Sequence, residues 1–128
     1  MNKHMFGYEN LHVWKEAFEL TFLVHQLTKK FPSDEKFTYT SQIRRSALSI
    51  PSNIAEGKGR MSDRELQRFC LIANGSAMEL QTQLRLAKRL KFAPINDFLP
   101  VEEKLELVLR LLNRFMRQLH TEKPNAKR

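Results

Sequence analysis

Cysteine is almost missing from this chain of 128 residues, with Cys70 the single one. A lone cysteine makes no intramolecular disulfide and gives no reason to suppose an oxidising compartment. No uninterrupted apolar run approaches the roughly 18 residues that span a bilayer. Residues 1–7 contain no apolar h-region either, so neither a membrane span nor a secretory signal is expected. No segment alternates apolar and polar residues with period two, the mark of a half-buried strand. The histidines His4, His12, His25 and His120 are dispersed, and there is no His-Glu-x-x-His run and no cysteine pair. Metal sites need such clusters, so no metal and no cofactor are expected. Low-complexity segments and internal repeats are also missing. What remains is a basic, soluble, cytoplasmic domain of 15.1 kDa, with one domain expected over residues 1–128 and about nine N-terminal and eight C-terminal residues flexible.

Acidic charge is the other shortage. The chain has 14 Asp+Glu against 22 Lys+Arg, a formal net charge of +8 and a pI of 9.9. The excess is uneven: residues 1–40 balance at 5 against 5, residues 41–91 carry 10 basic against 4 acidic, and residues 92–128 carry 7 against 5. A positive field centred on the middle of the chain suits nucleic acid or an acidic partner, and equally a solvated face that keeps the protein in solution.

Four stretches carry helical period. The first is expected from an N-cap at Asn10 to Phe31, with Leu11, Trp14, Phe18 and Thr21 on one row and Ala17, Leu20, Val24 and Leu27 beside it. The second runs from about Phe37 to Glu56 on Ile43, Ala47, Ile50 and Ile54. The apolar period passes Pro51 without losing phase, which predicts a kinked helix that continues, ended by Gly57 and Gly59 as left-handed caps. The third opens on a capping box, with Ser62 as N-cap and Glu65 reaching back, and its stripe is Leu66, Phe69, Cys70, Ala73, Ala77, Leu80, Leu84 and Ala87. Gly75, Ser76 and Ala77 are small enough for close approach of another backbone. The fourth has a heptad seam of Leu105, Val108, Leu112, Phe115 and Leu119. Short connections make antiparallel neighbours, so the expected fold is an all-α, up-and-down antiparallel four-helix bundle with a proline kink in the second helix. Surplus apolar residues, among them Val13, Phe22, Leu71, Ile72, Met78, Leu86 and Leu90, point to self-association.

Catalytic signatures are thin. Cys70 lies in an apolar row and reads as a buried structural thiol. Gly57-Lys58-Gly59-Arg60 lacks the upstream glycine, the following Ser/Thr and the preceding strand of a phosphate loop, and reads as an inter-helix turn. Arg114 and His120 have a spacing similar to the Arg-x(4–6)-His motif of HEPN-type ribonucleases, where histidine serves acid–base cleavage of RNA and arginine steadies phosphate charge. Phe115 stands where that family has a polar residue.

Several segments together resemble one family: Leu11-His-Val-Trp-Lys-Glu-Ala17, Leu27-Thr-Lys-Lys-Phe-Pro32, Ser41-Gln-Ile-Arg-Arg-Ser-Ala-Leu-Ser-Ile-Pro-Ser-Asn-Ile-Ala-Glu-Gly57 and Glu79-Leu-Gln-Thr-Gln-Leu84. The chain is similar over residues 9–92 to the four-helix-bundle proteins named after open reading frames in 23S rRNA intervening sequences. That family includes the accessory variability proteins of diversity-generating retroelements, which bind a reverse transcriptase and its template RNA. The resemblance implies a homopentamer with basic surfaces suited to nucleic acid, and no catalytic residue.

The expected function is therefore a non-catalytic, homo-oligomeric scaffold or nucleic-acid-binding module, RNA or DNA being the ligand. The alternative is a protein-binding adaptor, for example to a reverse transcriptase, and a HEPN-like ribonuclease comes last. The candidate nucleic-acid contacts are Lys58, Arg60, Arg64 and Arg68, the arginines stepping by four along one helix face, together with Arg44 and Arg45. Arg44 and Arg45 are equally suited to internal pairing, and Asn53 and Glu56 to a buried polar link with them. Ser49, Ser52 and Asn53 are expected to satisfy the backbone freed by Pro51. Trp14 and most phenylalanines fall on apolar rows, so no exposed aromatic platform is expected, and backbone charge should outweigh base stacking.

Overall fold

The structure is a computed structural model and describes residues 7–119. Four helices, α1 (His12–Thr28), α2 (Ser41–Gly59), α3 (Asp63–Arg89) and α4 (Leu99–Gln118), are joined by short connections, with no strand among the described residues. Each helix packs on its two chain neighbours, and α4 closes back on α1. Bridging pairs run in opposite directions along neighbouring helices. Thr28 meets Arg44 while Thr21 meets Ala47, and Ser49 meets Ser76 while Gly57 stands against Phe69. Lys88 meets Glu102 while Leu84 lies by Leu105, and Glu16 meets Lys104 while Val13 lies by Leu111. The result is an up-and-down four-helix bundle. None of its described helices is long and apolar enough to cross a membrane.

The core follows the apolar stripes. Ile43, Ala47, Ile50 and Ile54 are fully buried, and all eight stripe residues of α3 are inside. Val13, counted as surplus from the sequence, is also core, because α4 packs on that side of α1. The end of the bundle is plugged by rings from two connections: Phe31 lies 5.3 Å from Phe92 and 6.1 Å from Phe98, and Tyr39 lies 5.4 Å from Phe92. Phe98 is delivered by a 3-10 turn at Ile95–Phe98, where Lys30 also holds Asp97 at 2.9 Å.

Several local expectations change. Asn10 does not cap α1. It lies in a 3-10 turn, Tyr8–Asn10, and the N-cap position falls to Leu11 with no side-chain cap bond. α2 starts at Ser41 after a π turn, Lys36–Thr40, and runs through Pro51. Proline has no N–H, so the carbonyl of Ala47, four residues back, has no helical donor. The Thr21 hydroxyl of α1 donates to it at 3.2 Å, so the freed carbonyl is answered from a neighbouring helix. Asn53 instead donates to Ser49, to its carbonyl at 2.8 Å and its hydroxyl at 2.9 Å.

Gly57 and Gly59 are not left-handed caps either. α2 includes both, and the left-handed residue is Met61, with φ 65°. Gly57 serves close approach: a Cβ there would stand 2.7 Å from the Phe69 Cβ and 3.2 Å from the Leu66 Cα. Gly75 faces outward, where a Cβ would meet nothing within 4 Å. Only Ser76 and Ala77 of that small-residue run turn toward the bundle, Ser76 sharing a 2.7 Å hydrogen bond with Ser49.

Candidate nucleic-acid interface

The turn from α2 into α3 places the basic cluster. Gly57 lets the two helices converge, Met61 reverses the chain, and the Ser62 hydroxyl accepts the Glu65 N–H at 3.3 Å to start α3. The return half of the expected capping box is not made. The Glu65 carboxylate instead holds Arg68 at 3.1 Å, which draws its pKa below the ordinary carboxylate value. Arg60 reaches back one turn to Glu56 at 2.9 Å. Both guanidinium groups lie over the ring of Phe69, Arg60 at 5.1 Å and Arg68 at 4.7 Å from its centroid. Cation–π contact of this kind, at the rim of a buried ring, fixes two otherwise mobile side chains.

The six candidates therefore do not form one patch. Arg60 and Arg68 meet on Phe69, each already holding a carboxylate, and Arg64 is exposed beside them. Lys58 departs from this face: its stem is half-buried and lies where a Cβ on Gly7 would stand 3.3 Å from the Lys58 Cε. Arg44 turns to α1, its Nε donating to the Thr28 hydroxyl at 2.7 Å. There its charge, with burial and Lys29 adding to the effect, holds the His25 imidazole below its ordinary pKa. Arg45 faces the opposite side and lines a shallow cleft between α2 and α3 with Gln42, Ser49, Ser76, Glu79 and Gln83. The buried polar link expected between Asn53, Glu56 and these two arginines is not formed, since Asn53 bonds Ser49 and Glu56 bonds Arg60.

Two features were not foreseen. The first is aromatic. Trp14 and Phe18 stack with centroids 5.0 Å apart and planes 22° from parallel, Tyr8 tilts against Trp14 at 5.2 Å, and Phe18 and Phe22 are 57% and 54% exposed. Leu48, one residue beyond the Ala47 that Thr21 reaches, adds to this exposed α1–α2 edge. Along i, i+4 and i+8 a half-buried Trp14 leads to exposed Phe18 and Phe22. Phe18 is uncovered although its apolar row predicts burial, while Phe22 is exposed as its place among the surplus apolar residues implies. The side of α1 that faces the bundle is Val13, Ala17, Leu20, Val24 and Leu27.

The second is on α4. Arg110, Arg114 and Arg117 are exposed and line one open concavity with Leu107, Leu111 and Asn113. Their spacing was legible in the sequence, but there Arg114 was weighed only with His120, which lies outside the described residues. Cys70 is buried, which pushes its thiol up to about 11, so it stays protonated at neutral pH.

The model of one protein family, described as 23S rRNA-intervening sequence protein, matches residues 9–114. No curated protein matches the chain.

Proposed function

The chain belongs to the 23S rRNA-intervening sequence protein family, and from that membership we propose a non-catalytic, homo-oligomeric module that binds RNA through phosphate charge. The observation that carries this reading is the net charge of +8 together with exposed arginines of α4, Arg110, Arg114 and Arg117, that make no ion pair among the described residues. Guanidinium groups fixed against an aromatic ring, as at Phe69, keep their outward donors oriented for phosphate oxygens. Such contacts position a nucleic acid without reading its bases, so DNA is bound as well. The location that fits this reading is the cytoplasm.

Self-association draws on two exposed apolar faces. One comprises Phe18 and Phe22 of α1 with Leu48, the other Leu71, Ile72, Met78, Leu86 and Leu90 of α3. α1 and α3 are diagonal in the bundle, so the two faces differ in composition and point in different directions. A contact between unlike faces is heterologous and closes into a ring when its rotation permits. Five copies is the number the family resemblance implies.

Light scattering tests the assembly: the expected mass is five times 15.1 kDa, and a 15.1 kDa monomer overturns it. Incubation with structured RNA tests the chemistry. The RNA is expected to be retained intact, whereas cleavage abolished by His120→Ala overturns the non-catalytic reading. A chain that assembles but binds no RNA at any salt concentration supports the adaptor alternative instead.

A further inference from the structure

We infer that Arg110, Arg114 and Arg117 of α4 form the main phosphate track of this protein, a site that rests on the RNA-binding reading above and locates its principal contact. The three residues fall at i, i+4 and i+7, which places them on one helix face over about 10 Å of axis. None of them makes an ion pair among the described residues, in contrast to Arg60 and Arg68. Glu106, one turn before Arg110, makes no salt bridge with it, and the cleft holding Glu102, Glu103 and Glu106 opens toward α3 instead. Around the arginines the concavity of about 640 Å³ contains no carboxylate, its other polar side chain being Asn113, whose amide donates to the Leu109 carbonyl at 2.8 Å.

Helix electrostatics alone does not explain this arrangement. Cations near a C-terminus compensate the macrodipole, but the effect is confined to the last turn. It covers Arg117 and leaves Arg110, two turns earlier, without a reason. Three unpaired guanidinium groups in a row repel one another, and an extended polyanion relieves that repulsion while filling their donors in pairs. α4 is also the helix that the apolar faces leave open: after Leu99 it presents no exposed large hydrophobic residue among those described.

The test is fluorescence anisotropy of a labelled single-stranded RNA with the full chain across a range of KCl. Arg110→Gln/Arg114→Gln/Arg117→Gln is compared with Arg60→Gln/Arg64→Gln/Arg68→Gln and with a charge-preserving Arg110→Lys/Arg114→Lys/Arg117→Lys variant. Each neutralised phosphate contributes about 0.7 to the salt slope for a single strand, so the α4 Gln variant is expected to flatten the slope by about 2. The Lys variant keeps the slope, because counterion release counts charges, and the α3 variant changes it less. An unchanged slope in the α4 Gln variant overturns the inference alone. So does equal flattening in the Lys variant, which signals a disturbed fold. If the unmodified chain binds no RNA, the functional reading beneath it fails as well. Binding of labelled polyglutamate in preference to RNA at equal salt assigns the track to an acidic protein and also overturns it.

Discussion

Thr21 and Pro51 illustrate how a single side chain stabilises this bundle. The Ala47 carbonyl loses its helical donor to proline, and the Thr21 hydroxyl, whose one proton is shared between the Ala17 carbonyl at 2.9 Å and the Ala47 carbonyl at 3.2 Å, supplies the replacement. A half-buried carbonyl left without a partner costs about 1–3 kcal/mol. Thr21→Val is therefore expected to lower stability by about 1–2 kcal/mol in urea denaturation. In a Pro51→Ala background the backbone donor returns, and the same substitution should cost clearly less; simple additivity would refute the coupling. A second residue-scale consequence concerns His25. Its pKa is lowered in the folded chain, chiefly by Arg44, so the unfolded chain takes up a proton more readily. Stability from this site is then complete above the ordinary value of 6.5 and falls as pH drops through it toward the lower folded value. Arg44→Gln should raise the His25 pKa in an NMR titration and weaken that acid-side loss.

Between elements, Gly57 and Gly75 exchange the roles the sequence suggests: Gly57, expected as a left-handed cap, serves close approach, and Gly75, expected to permit it, faces outward. A Cβ on Gly57 would press into Phe69 and Leu66 of α3, whereas one on Gly75 would meet open space. Gly57→Ala is expected to destabilise by about 1–2 kcal/mol, overpacking outweighing the better helix propensity of alanine. Gly75→Ala should stabilise by about 0.5–1 kcal/mol through that same propensity. Thermal melts of the two variants should move in opposite directions, and a shift of the same sign would contradict the packing at the α2–α3 corner. This contrast also marks how far the sequence could be read. Periodicity is a local property, so the stripes of α2 and α3 and the four-helix topology were legible. Gly57 was misread because its partner, Phe69, lies in the next helix, and the capping role of Glu65 lost to an arginine one turn away. Phe18 escaped for a different reason: an apolar row identifies a helix face, while its burial depends on how far the neighbouring helix reaches. The basic cluster was legible only as a run of arginines: Arg60 caps α2 while Arg64 and Arg68 lie in α3, so the three do not share one helix face, and Arg60 and Arg68 meet across the turn on Phe69. That both hold carboxylates, and that Lys58 and Arg44 turn elsewhere, depends on packing across helices.

For the molecule as a whole, the consequence that separates assembly models lies in the two unlike apolar faces. In a ring built by heterologous contacts, the α1 edge of one copy meets the α3 face of the next, so every copy uses both. Phe22→Asp then spoils one face and leaves the other intact, and Met78→Asp does the reverse; both residues are about half exposed, so neither change enters the core. Each variant alone is expected to remain helical and to run as a 15.1 kDa monomer in light scattering. Mixed together, the Phe22→Asp chain still offers a sound α3 face and the Met78→Asp chain a sound α1 edge, so one good contact forms and cannot propagate. The expected product is a one-to-one complex of twice the chain mass, and no ring. An assembly in which like meets like gives a different outcome, because a face spoiled on one partner is then spoiled in every contact that partner makes. Under that geometry mixing produces no complex through the damaged face, and at least one variant alone retains a dimer through its undamaged one. Sedimentation of the two variants separately and together therefore decides between unlike-face and like-face association without requiring the number of copies to be known.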